Sequence, residues 1–358
     1  MAALDRELRA LGHTVSVITT DHGAGATTVR GRSPLRDWRL YDALRKASPD
    51  IVHVHGRAHM VPPAVFYRAS HPRSRVVFTF HTQPILGSYL PGVTAKRSYS
   101  KAGGLIVREL LRRCDAITAV ARSIITNLNS SYSFGIKDFD TIPSGGTSRV
   151  VDARELAEFR AMNRLEGSFP VLSSVGVFSW DWKVAGHLVC IDALRLLLPA
   201  YPRALLLLAG DGQYRSYLKD YVQARGLDGR VRFLGNVRNP GAVLGATDIY
   251  LHMALNEGCS LALIEAMFAE KTIIASRRGG NEEVVRDDVS ARLIEPDPAR
   301  LATALLELLA DRDKGAALAR GARQCAVDAF AWDIVAKQYE ALYLSILGQP
   351  NEPGLSVA

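Results

Sequence analysis

Short apolar runs rich in β-branched residues alternate with longer stretches of helical periodicity along the whole chain. The runs predicted to be strands cover residues 14–19, 51–55, 76–80, 116–120 and 140–142, and then 171–175, 203–209, 231–234, 248–251, 272–275 and 292–294. Strands that alternate with helices favour parallel sheets covered by helices. The pattern therefore predicts an α/β protein.

The helical stretches between these runs indicate how the chain divides into domains. They cover residues 36–47, 103–113, 185–197, 213–225, 260–269 and 298–309, followed by 314–329 and 332–346 near the end of the chain. A polar joint near residues 147–168 separates the two sets of strands. We therefore predict two Rossmann-like domains, residues 1–165 and 166–330. A C-terminal helix that packs back toward the first domain, with a tail, covers residues 331–358.

Composition places the chain among globular proteins. Its 358 residues are 48% hydrophobic and 22% charged, which suits two domains that each bury a core. No apolar run reaches the roughly 20 residues of a membrane-spanning helix. The four cysteines form no CxxC pair and no secretory signal opens the sequence. We therefore expect reduced thiols and a cytoplasmic protein.

The positive charge lies in the first part of the chain. Residues 1–160 carry 23 Lys and Arg against 13 Asp and Glu, whereas the remainder carries 21 against 23. Such a balance predicts an anionic partner for the first domain, either nucleic acid or an anionic membrane surface. A bias in base composition toward arginine is the alternative explanation. No nucleic-acid motif with interleaved aromatic residues is present, so we expect no nucleic-acid partner.

Two carboxylates, Glu257 and Glu265, form the strongest candidate site. Glu257 precedes Gly258 and a predicted helix start, and Glu265 lies within an otherwise apolar run. An apolar helix is expected to be buried, and a buried carboxylate needs a partner. Because helical side chains tilt toward the N-terminus, Glu265 is directed back toward Glu257. In the alternative interpretation Glu257 lies in a surface loop and Glu265 forms a salt bridge within the fold.

The same segment predicts an anion site. The amides of Cys259, Ser260 and Leu261 open a helix, and helix N-termini favour phosphate. Two carboxylates beside such a site would accept hydrogen bonds from sugar hydroxyls, so the arrangement suits a sugar nucleotide. Turns containing Gly210 and Gly212 also follow a predicted strand. In open parallel sheets ligands bind beyond the carboxyl ends of strands.

An ordered series of motifs then makes the sequence recognisable. In the second half the motifs are Ser174-Val175-Gly176 leading to Lys183, Leu208-Ala209-Gly210-Asp211-Gly212, Val231-Arg232-Phe233-Leu234-Gly235, Asn256-Glu257-Gly258 through Glu265-Ala266-Met267, Gly279-Gly280-Asn281-Glu282-Glu283, and Phe330-Ala331-Trp332. Looser matches in the first half include Phe80-His81-Thr82 and Ile142-Pro143-Ser144-Gly145. Across essentially its whole length the chain resembles the retaining glycosyltransferases of family 4, which have the GT-B fold.

The resemblance implies two Rossmann-like domains facing a central cleft, an acceptor-side N-terminal domain and a C-terminal domain that binds a nucleotide sugar. It implies transfer of a sugar, with retention, from a nucleoside diphosphate sugar, which is a substrate, so that no cofactor is expected. Lys183 would then neutralise the diphosphate and Glu265 would hold the ribose. Glu257 would lie by the donor sugar, and His81 would reach that sugar from the opposite domain. The expected acceptor is a lipid-linked, polysaccharide or other glycan at the inner face of the membrane.

The sequence departs from the family pattern in three places. Family members open with a strand and a glycine-rich loop, whereas Met1 leads directly into a helix, so the first domain is expected to lack its first strand. Val177 takes the place of the usual arginine after Gly176, and Ser144 that of the usual asparagine. These departures keep a truncated or degenerate binding protein open as an alternative, beside a sugar-nucleotide epimerase on the same fold.

We expect no metal site. Asp138 and Asp140 have the spacing of a metal-binding DxD motif but precede a strand of the first domain, and no His/Cys cluster has ligand spacing. Lys183, alone or with Arg277 or Arg278, would offset the charge of the leaving diphosphate.

Overall fold

The structure, a computed structural model, describes residues 2–20, 26–29, 34–56, 58–85, 87–93, 98, 101–147, 151–237, 239–348 and 356–357. The chain forms two compact units. Unit 1 consists of Met1–Pro84, Arg97–Gly145 and Trp332–Ala358, and unit 2 consists of Ile85–Lys96 and Gly146–Ala331. A segment of the first half of the sequence thus belongs to unit 2, and the last helix belongs to unit 1.

Unit 1 is built on a parallel sheet. Its strands, in sheet order, are β1 (Thr14–Val15), β14 (Ser356–Val357), β4 (Ile51–His55), β5 (Arg75–Phe80), β6 (Ala116–Ala119) and β7 (Asp140–Thr141). A separate pair joins β2 (Ile18–Thr19) and β3 (Thr27–Thr28). The inner strand β5 is buried from Val76 to Phe80, which explains why this run is apolar except for Thr79.

Helices cover the unit 1 sheet. They are α1 (Ala2–Ala10), α2 (Leu35–Ala47), α3 (Val61–Ser70), α4 (Lys101–Leu111), α5 (Arg122–Tyr132) and α14 (Trp332–Leu347), with a short 3₁₀ turn at Ala58–Met60. Helices α1 and α14 pack on each other and share a core cluster with Ile51, Val77 and Val357. The last helix of the chain therefore completes the core of unit 1.

The position between β1 and β4 is shared by strand β14 and a cavity. Val357 pairs with Val15 on one side and with Ile51 on the other. Beyond that short strand lies a cavity of about 660 Å³, lined largely by apolar side chains and by His53 and His55. The sequence predicted that this domain lacks a strand, and the C-terminal residues of the chain lie at an inner position of its sheet.

Unit 2 contains the second parallel sheet. Its strands, in sheet order, are β10 (Val231–Gly235), β9 (Leu205–Ala209), β8 (Val171–Val175), β11 (Ile249–His252), β12 (Thr272–Ser276) and β13 (Arg292–Ile294). Its helices are α6 (Ala153–Met162), α7 (Asp181–Leu197), α8 (Arg215–Ala224), α9 (Pro240–Gly245), α10 (Leu261–Phe268), α11 (Asn281–Val284), α12 (Pro298–Ala310) and α13 (Arg312–Phe330). The predicted α/β class is confirmed.

Both faces of the unit 2 sheet are buried. Along β9, Leu206 and Leu208 join a core cluster with α7 and α12, whereas Leu205 and Leu207 join another with α9. This is the alternation expected of a parallel strand covered on both faces. The sheet is therefore a rigid base for the loops at its carboxyl edge.

Most predicted strands are confirmed within one or two residues, but one local prediction is wrong. The run 14–19 is not one strand, because β1 and β2 belong to different sheets. The polar joint contains helix α6, which begins after the N-cap Asp152 and has no buried residue. Its polarity reflects exposure to solvent rather than lack of structure. Among the described residues, no helix is long and apolar enough to cross a membrane.

Candidate functional site

An ion pair between Lys183 and Glu257 marks the candidate site of unit 2. Lys183 lies in the first turn of α7, and Glu257 lies in the loop between β11 and α10. The Lys183 Nζ is 2.9 Å from the Glu257 Oε2, and both side chains are largely shielded from water. Two residues that the sequence predicted separately are therefore brought together by the fold.

Glu257 is ionised in this environment. Burial by itself raises the pKa of the Glu257 carboxyl, but His252 and the Lys183 ammonium outweigh it and bring the pKa down to about 2. The His252 Nε2 lies 3.7 Å from the same carboxylate oxygen. A carboxylate held ionised at neutral pH acts as a hydrogen-bond acceptor and a local negative charge, not as a proton donor.

His252 is a site residue that the sequence did not predict. This buried residue ends β11 at the carboxyl edge of the sheet, and its ring stacks on that of Tyr250 at a centroid distance of 6.3 Å. A polar residue that closes an otherwise apolar strand is the signal that could have found it, because ligand sites collect at that edge.

Hydrogen bonds hold the Glu257 loop in place. The Gly280 N–H donates to the Glu257 carbonyl at 2.9 Å. The Ser276 hydroxyl donates to the Ala254 carbonyl at 2.6 Å, and the Asn281 amide donates to the Ser276 hydroxyl at 2.9 Å. The Gly279-Gly280 turn and β12 therefore fix the backbone from which Glu257 projects.

Helix α10 begins next to this loop, as the sequence predicted. Ser260 is the N-cap, and its hydroxyl accepts from the Leu263 N–H at 3.4 Å. Gly258 is buried, Cys259 is half-buried and Leu261 is exposed. The first amides of a helix have no partner within it, so this end presents a partial positive charge beside Glu257.

Glu265 lies on α10 and is half-buried rather than fully buried. The pKa of the fully buried Tyr250 is affected by both carboxylates. Burial raises the pKa of the Tyr250 phenol, and the charges of Glu265 and Glu257 raise it further. Both carboxylates therefore lie near enough to act on this buried phenol, and the convergence of Glu265 on Glu257 stays a prediction.

Gly210 and Gly212 shape the neighbouring turn. A Cβ on Gly210 would lie 1.8 Å from the Gly176 carbonyl oxygen, and one on Gly212 would lie 2.4 Å from the Phe178 carbonyl carbon. No other residue permits this approach of two loops. These glycines bring the turn after β9 against the turn that leads from β8 into α7 and Lys183.

The other expected cations are engaged with carboxylates. The Arg277 guanidinium contacts Asp287 and also lies 3.7 Å from the Glu282 carboxylate, and the Arg278 guanidinium lies 2.7 Å from the Glu295 carboxylate. Val177, at the position of the expected arginine, is 45% exposed. Lys183, in contrast, directly contacts the candidate acid Glu257.

Asp181, at the start of α7, ties a segment from the first half of the sequence to this site. Its carboxylate accepts from the Ser88 hydroxyl at 2.9 Å and from the Tyr89 N–H at 2.8 Å. Leu90 packs into the core cluster that contains α7. The residues on either side of Asp181 in the sequence are Trp180 and Trp182, and their rings stack on each other at a centroid distance of 5.0 Å.

In unit 1, His81 follows β5 and lies beside His55, the last residue of β4. The His55 Nδ1 and the His81 Nε2 are 2.9 Å apart, a hydrogen-bonding distance. Burial lowers the pKa of the His81 imidazole to about 4, so the ring is neutral at neutral pH. His81 therefore lies at a strand end, where the sequence predicted a functional histidine.

Asp138 and Asp140, which have the DxD spacing, lie where strand β7 begins. Both aspartates are exposed at the entrance of β7, and the ring of Phe139 between them contacts the Arg122 guanidinium, 5.3 Å from the ring centroid. Within the described part of the chain, no group of three or more His, Cys, Asp or Glu residues is arranged to hold a metal ion.

Two models of known protein families match this chain. The family model "Glycosyltransferase Family 4" matches residues 1–145, and the model "Glycosyl transferases group 1" matches residues 157–325. Together the two models account for most of the chain.

Individual relatives are similar over different shares of their length. N-acetyl-alpha-D-glucosaminyl L-malate synthase of Bacillus anthracis is 26% identical over 86% of this chain and 78% of its own length. Phosphatidyl-myo-inositol mannosyltransferase of Mycobacterium tuberculosis is 29% identical over 54% of this chain and 53% of its own length. The chain thus spans about half of that second relative.

Solved structures support the same fold. A glycosyltransferase of Rickettsia africae superposes with a TM-score of 0.78 at 19% identity, over 98% of this chain and 94% of that chain. Anabaena HepE in complex with UDP also gives 0.78 at 19% identity, over 96% of both chains. The chain belongs to glycosyltransferase family 4 and is a glycosyltransferase with the GT-B fold.

Proposed function

We propose that this glycosyltransferase transfers a sugar from a nucleoside diphosphate sugar to an acceptor hydroxyl, with retention of configuration at the anomeric carbon. The acceptor class is a lipid-linked, polysaccharide or other glycan. Family 4 membership supports retention, because the motif series resembles the retaining enzymes of that family. Anabaena HepE, whose structures hold UDP and UDP-glucose, supports a nucleoside diphosphate donor.

The ion pair of Lys183 and Glu257 beside the start of α10 carries this proposal. An ammonium group has three N–H donors, so Lys183 can hold Glu257 and a phosphate oxygen at once. The amides at the start of α10 add hydrogen bonds to the same anion. Together they stabilise the negative charge that grows on the leaving diphosphate in the transition state.

The carboxylates act on the sugars of the donor. Glu257 remains ionised and accepts a hydrogen bond from a hydroxyl of the donor sugar, next to the positive charge that develops at the anomeric carbon. Glu265, which lies further along helix α10, accepts hydrogen bonds from the ribose. We retain His81 of unit 1 as a further contact of the donor sugar, on the strength of the family resemblance.

Product analysis tests the chemistry. The protein is incubated with a panel of UDP-, GDP- and ADP-sugars and with glycan, lipid-linked and small hydroxylated acceptors, and NMR follows the anomeric proton of the product. We expect an α-linked product from an α-linked donor. An inverted product would refute retention, and a donor converted to its epimer without an acceptor would show an epimerase instead.

Variants at the ion pair test the site. Glu257→Gln and Lys183→Ala should each lower kcat/KM by roughly 30- to 1000-fold, because a lost hydrogen bond to a charged or transition-state group costs about 2–4 kcal/mol. Glu307→Gln and Lys314→Ala are matched controls, since they remove partly exposed partners of other ion pairs in unit 2. Turnover of all four variants near that of the wild type would show that the site lies elsewhere.

Transfer is further proposed to proceed without a divalent metal ion. Lys183 and the helix amides offset the diphosphate charge, and Asp138 and Asp140 belong to the other unit. We expect unchanged turnover in excess EDTA. Loss of activity in EDTA that Mn²⁺ restores would show that a metal ion supplies the charge which Val177 does not.

A further inference from the structure

We infer that His55 is a positioning residue for His81: its ring fixes the orientation and tautomer of the His81 imidazole, so that the Nδ1 of His81 is the nitrogen left for a substrate. This inference rests on the proposed function, in which His81 contacts the donor sugar. It assigns a role to His55, a residue for which the family resemblance implied none.

The position of the two rings follows from the sheet. His55 ends β4, and Phe80 precedes His81 at the end of the neighbouring strand β5. In the parallel register His55 is the partner of Thr79, so the two histidines leave the same edge of the sheet side by side. The resulting distance of 2.9 Å between the His55 Nδ1 and the His81 Nε2 leaves no room for an intervening group.

Both imidazoles are neutral, which makes their contact directional. Burial lowers the pKa of His55 well below its usual value, and burial lowers that of His81 to about 4. A neutral imidazole has one donor and one acceptor nitrogen. The bond therefore occupies the Nε2 of His81 and ties the protonation state of its Nδ1 to that of His55.

His55 is itself held in place from its other side. Its ring packs against that of His53 at a centroid distance of 3.9 Å, with the two ring planes tilted by 32°. The His53 Nδ1 is 2.6 Å from the Tyr343 Oη, and its Nε2 is 2.6 Å from the Thr79 Oγ1. With both nitrogens of His53 bonded, that ring is a fixed surface against which His55 can adopt few orientations.

Two substitutions at position 55 separate positioning from packing. His55→Asn places an amide where the Nδ1 was and keeps a hydrogen bond to His81, whereas His55→Phe keeps a ring on His53 and removes the bond. We expect His55→Phe to lower kcat about 10-fold or more, with a smaller change in KM for the donor, and His55→Asn to retain most of the turnover. His71→Phe is the matched control, because the ring of His71 in unit 1 likewise packs on another ring, that of Tyr67.

Side-chain ¹⁵N NMR of the histidines gives a readout that does not depend on activity. We expect a single tautomer of His81 in the wild-type protein and in His55→Asn, and a mixture of tautomers in His55→Phe. Equal loss of turnover in His55→Phe and His55→Asn, or an unchanged His81 tautomer in His55→Phe, would overturn the inference. So would turnover that depends on His81 but not on His55.

The failure of the proposed function is distinguishable from these outcomes. If His81→Ala retained full transfer, the role of His81 in the reaction would be refuted, and the positioning role with it, even where NMR still showed the bonded pair. Thermal unfolding of each variant identifies any loss of turnover that comes from loss of the folded state.

Discussion

At the scale of single residues, the local environment of Glu257 decides what this side chain can do. Water is largely excluded, which disfavours the charged form, yet Lys183 and His252 keep the carboxylate ionised. The sequence predicted Glu257 and Lys183 as separate candidates. It gave no distance between them and no sign of His252, because both depend on how β11 and α7 lie against each other.

The lowered pKa of Glu257 predicts a dependence of stability on pH. The folded-state pKa of about 2 lies below the ordinary value of 4.5, so the folded state binds this proton less readily than the unfolded chain. The stabilisation is therefore present above about pH 4.5 and is lost as the pH falls toward 2.

Chemical denaturation of the wild type and Glu257→Gln between pH 3.5 and 7 checks this, with about half-unit steps to resolve the expected curvature. The wild type should lose free energy of unfolding relative to the variant as the pH falls below about 4.5. A difference in free energy that stayed constant over this range would show that Glu257 has an ordinary pKa.

At the scale of elements, strand ends and tight turns place the site. Strand β9 was predicted from its apolar run, and the turn after it was predicted from Gly210 and Gly212. The packing role of these glycines is visible only in the folded structure. They let one turn approach the backbone of Phe178 and thereby support the start of α7.

Replacing Gly212 should therefore be costly. In Gly212→Ala the new Cβ would lie 2.4 Å from the Phe178 carbonyl carbon and 2.6 Å from the Ser179 nitrogen, both backbone atoms. We expect a loss of about 1–3 kcal/mol in the free energy of unfolding, since overpacking forces the backbone to shift.

Gly229→Ala is the matched control, because a Cβ at Gly229 meets nothing within 4 Å. Urea denaturation of both variants measures the two costs, and the control should change by less than about 0.5 kcal/mol. Equal stability of the two variants would mean that the turns do not approach as closely as described.

At the scale of the whole molecule, the two compact units do not follow the order of the sequence. The segment Ile85–Lys96 belongs to unit 2, and Trp332–Ala358 belongs to unit 1. Each unit therefore depends on residues from the other half of the chain. Charge, in contrast, is a property that the sequence alone assigns, and it places the excess of Lys and Arg in the first 160 residues.

That excess predicts weak, salt-dependent association with anionic membranes. Each Lys or Arg near an anionic leaflet is worth about 1 kcal/mol, and salt screens the attraction. Co-sedimentation with vesicles of anionic or neutral lipid, at low and high salt, measures the effect. Equal binding to both lipids at low salt would exclude an electrostatic partner of this kind.

The sequence by itself determined the class of the fold, the order of strands and helices and the family, because periodicity, turn residues and motif order are local properties. Tertiary structure decided the rest. It brought Lys183 to Glu257, set His252 beside them and paired His55 with His81 across two strands. It also placed Val357 between β1 and β4. These contacts join residues that are distant in the chain, so no local pattern encodes them. Register between parallel strands and the packing of helices on sheets fix them instead.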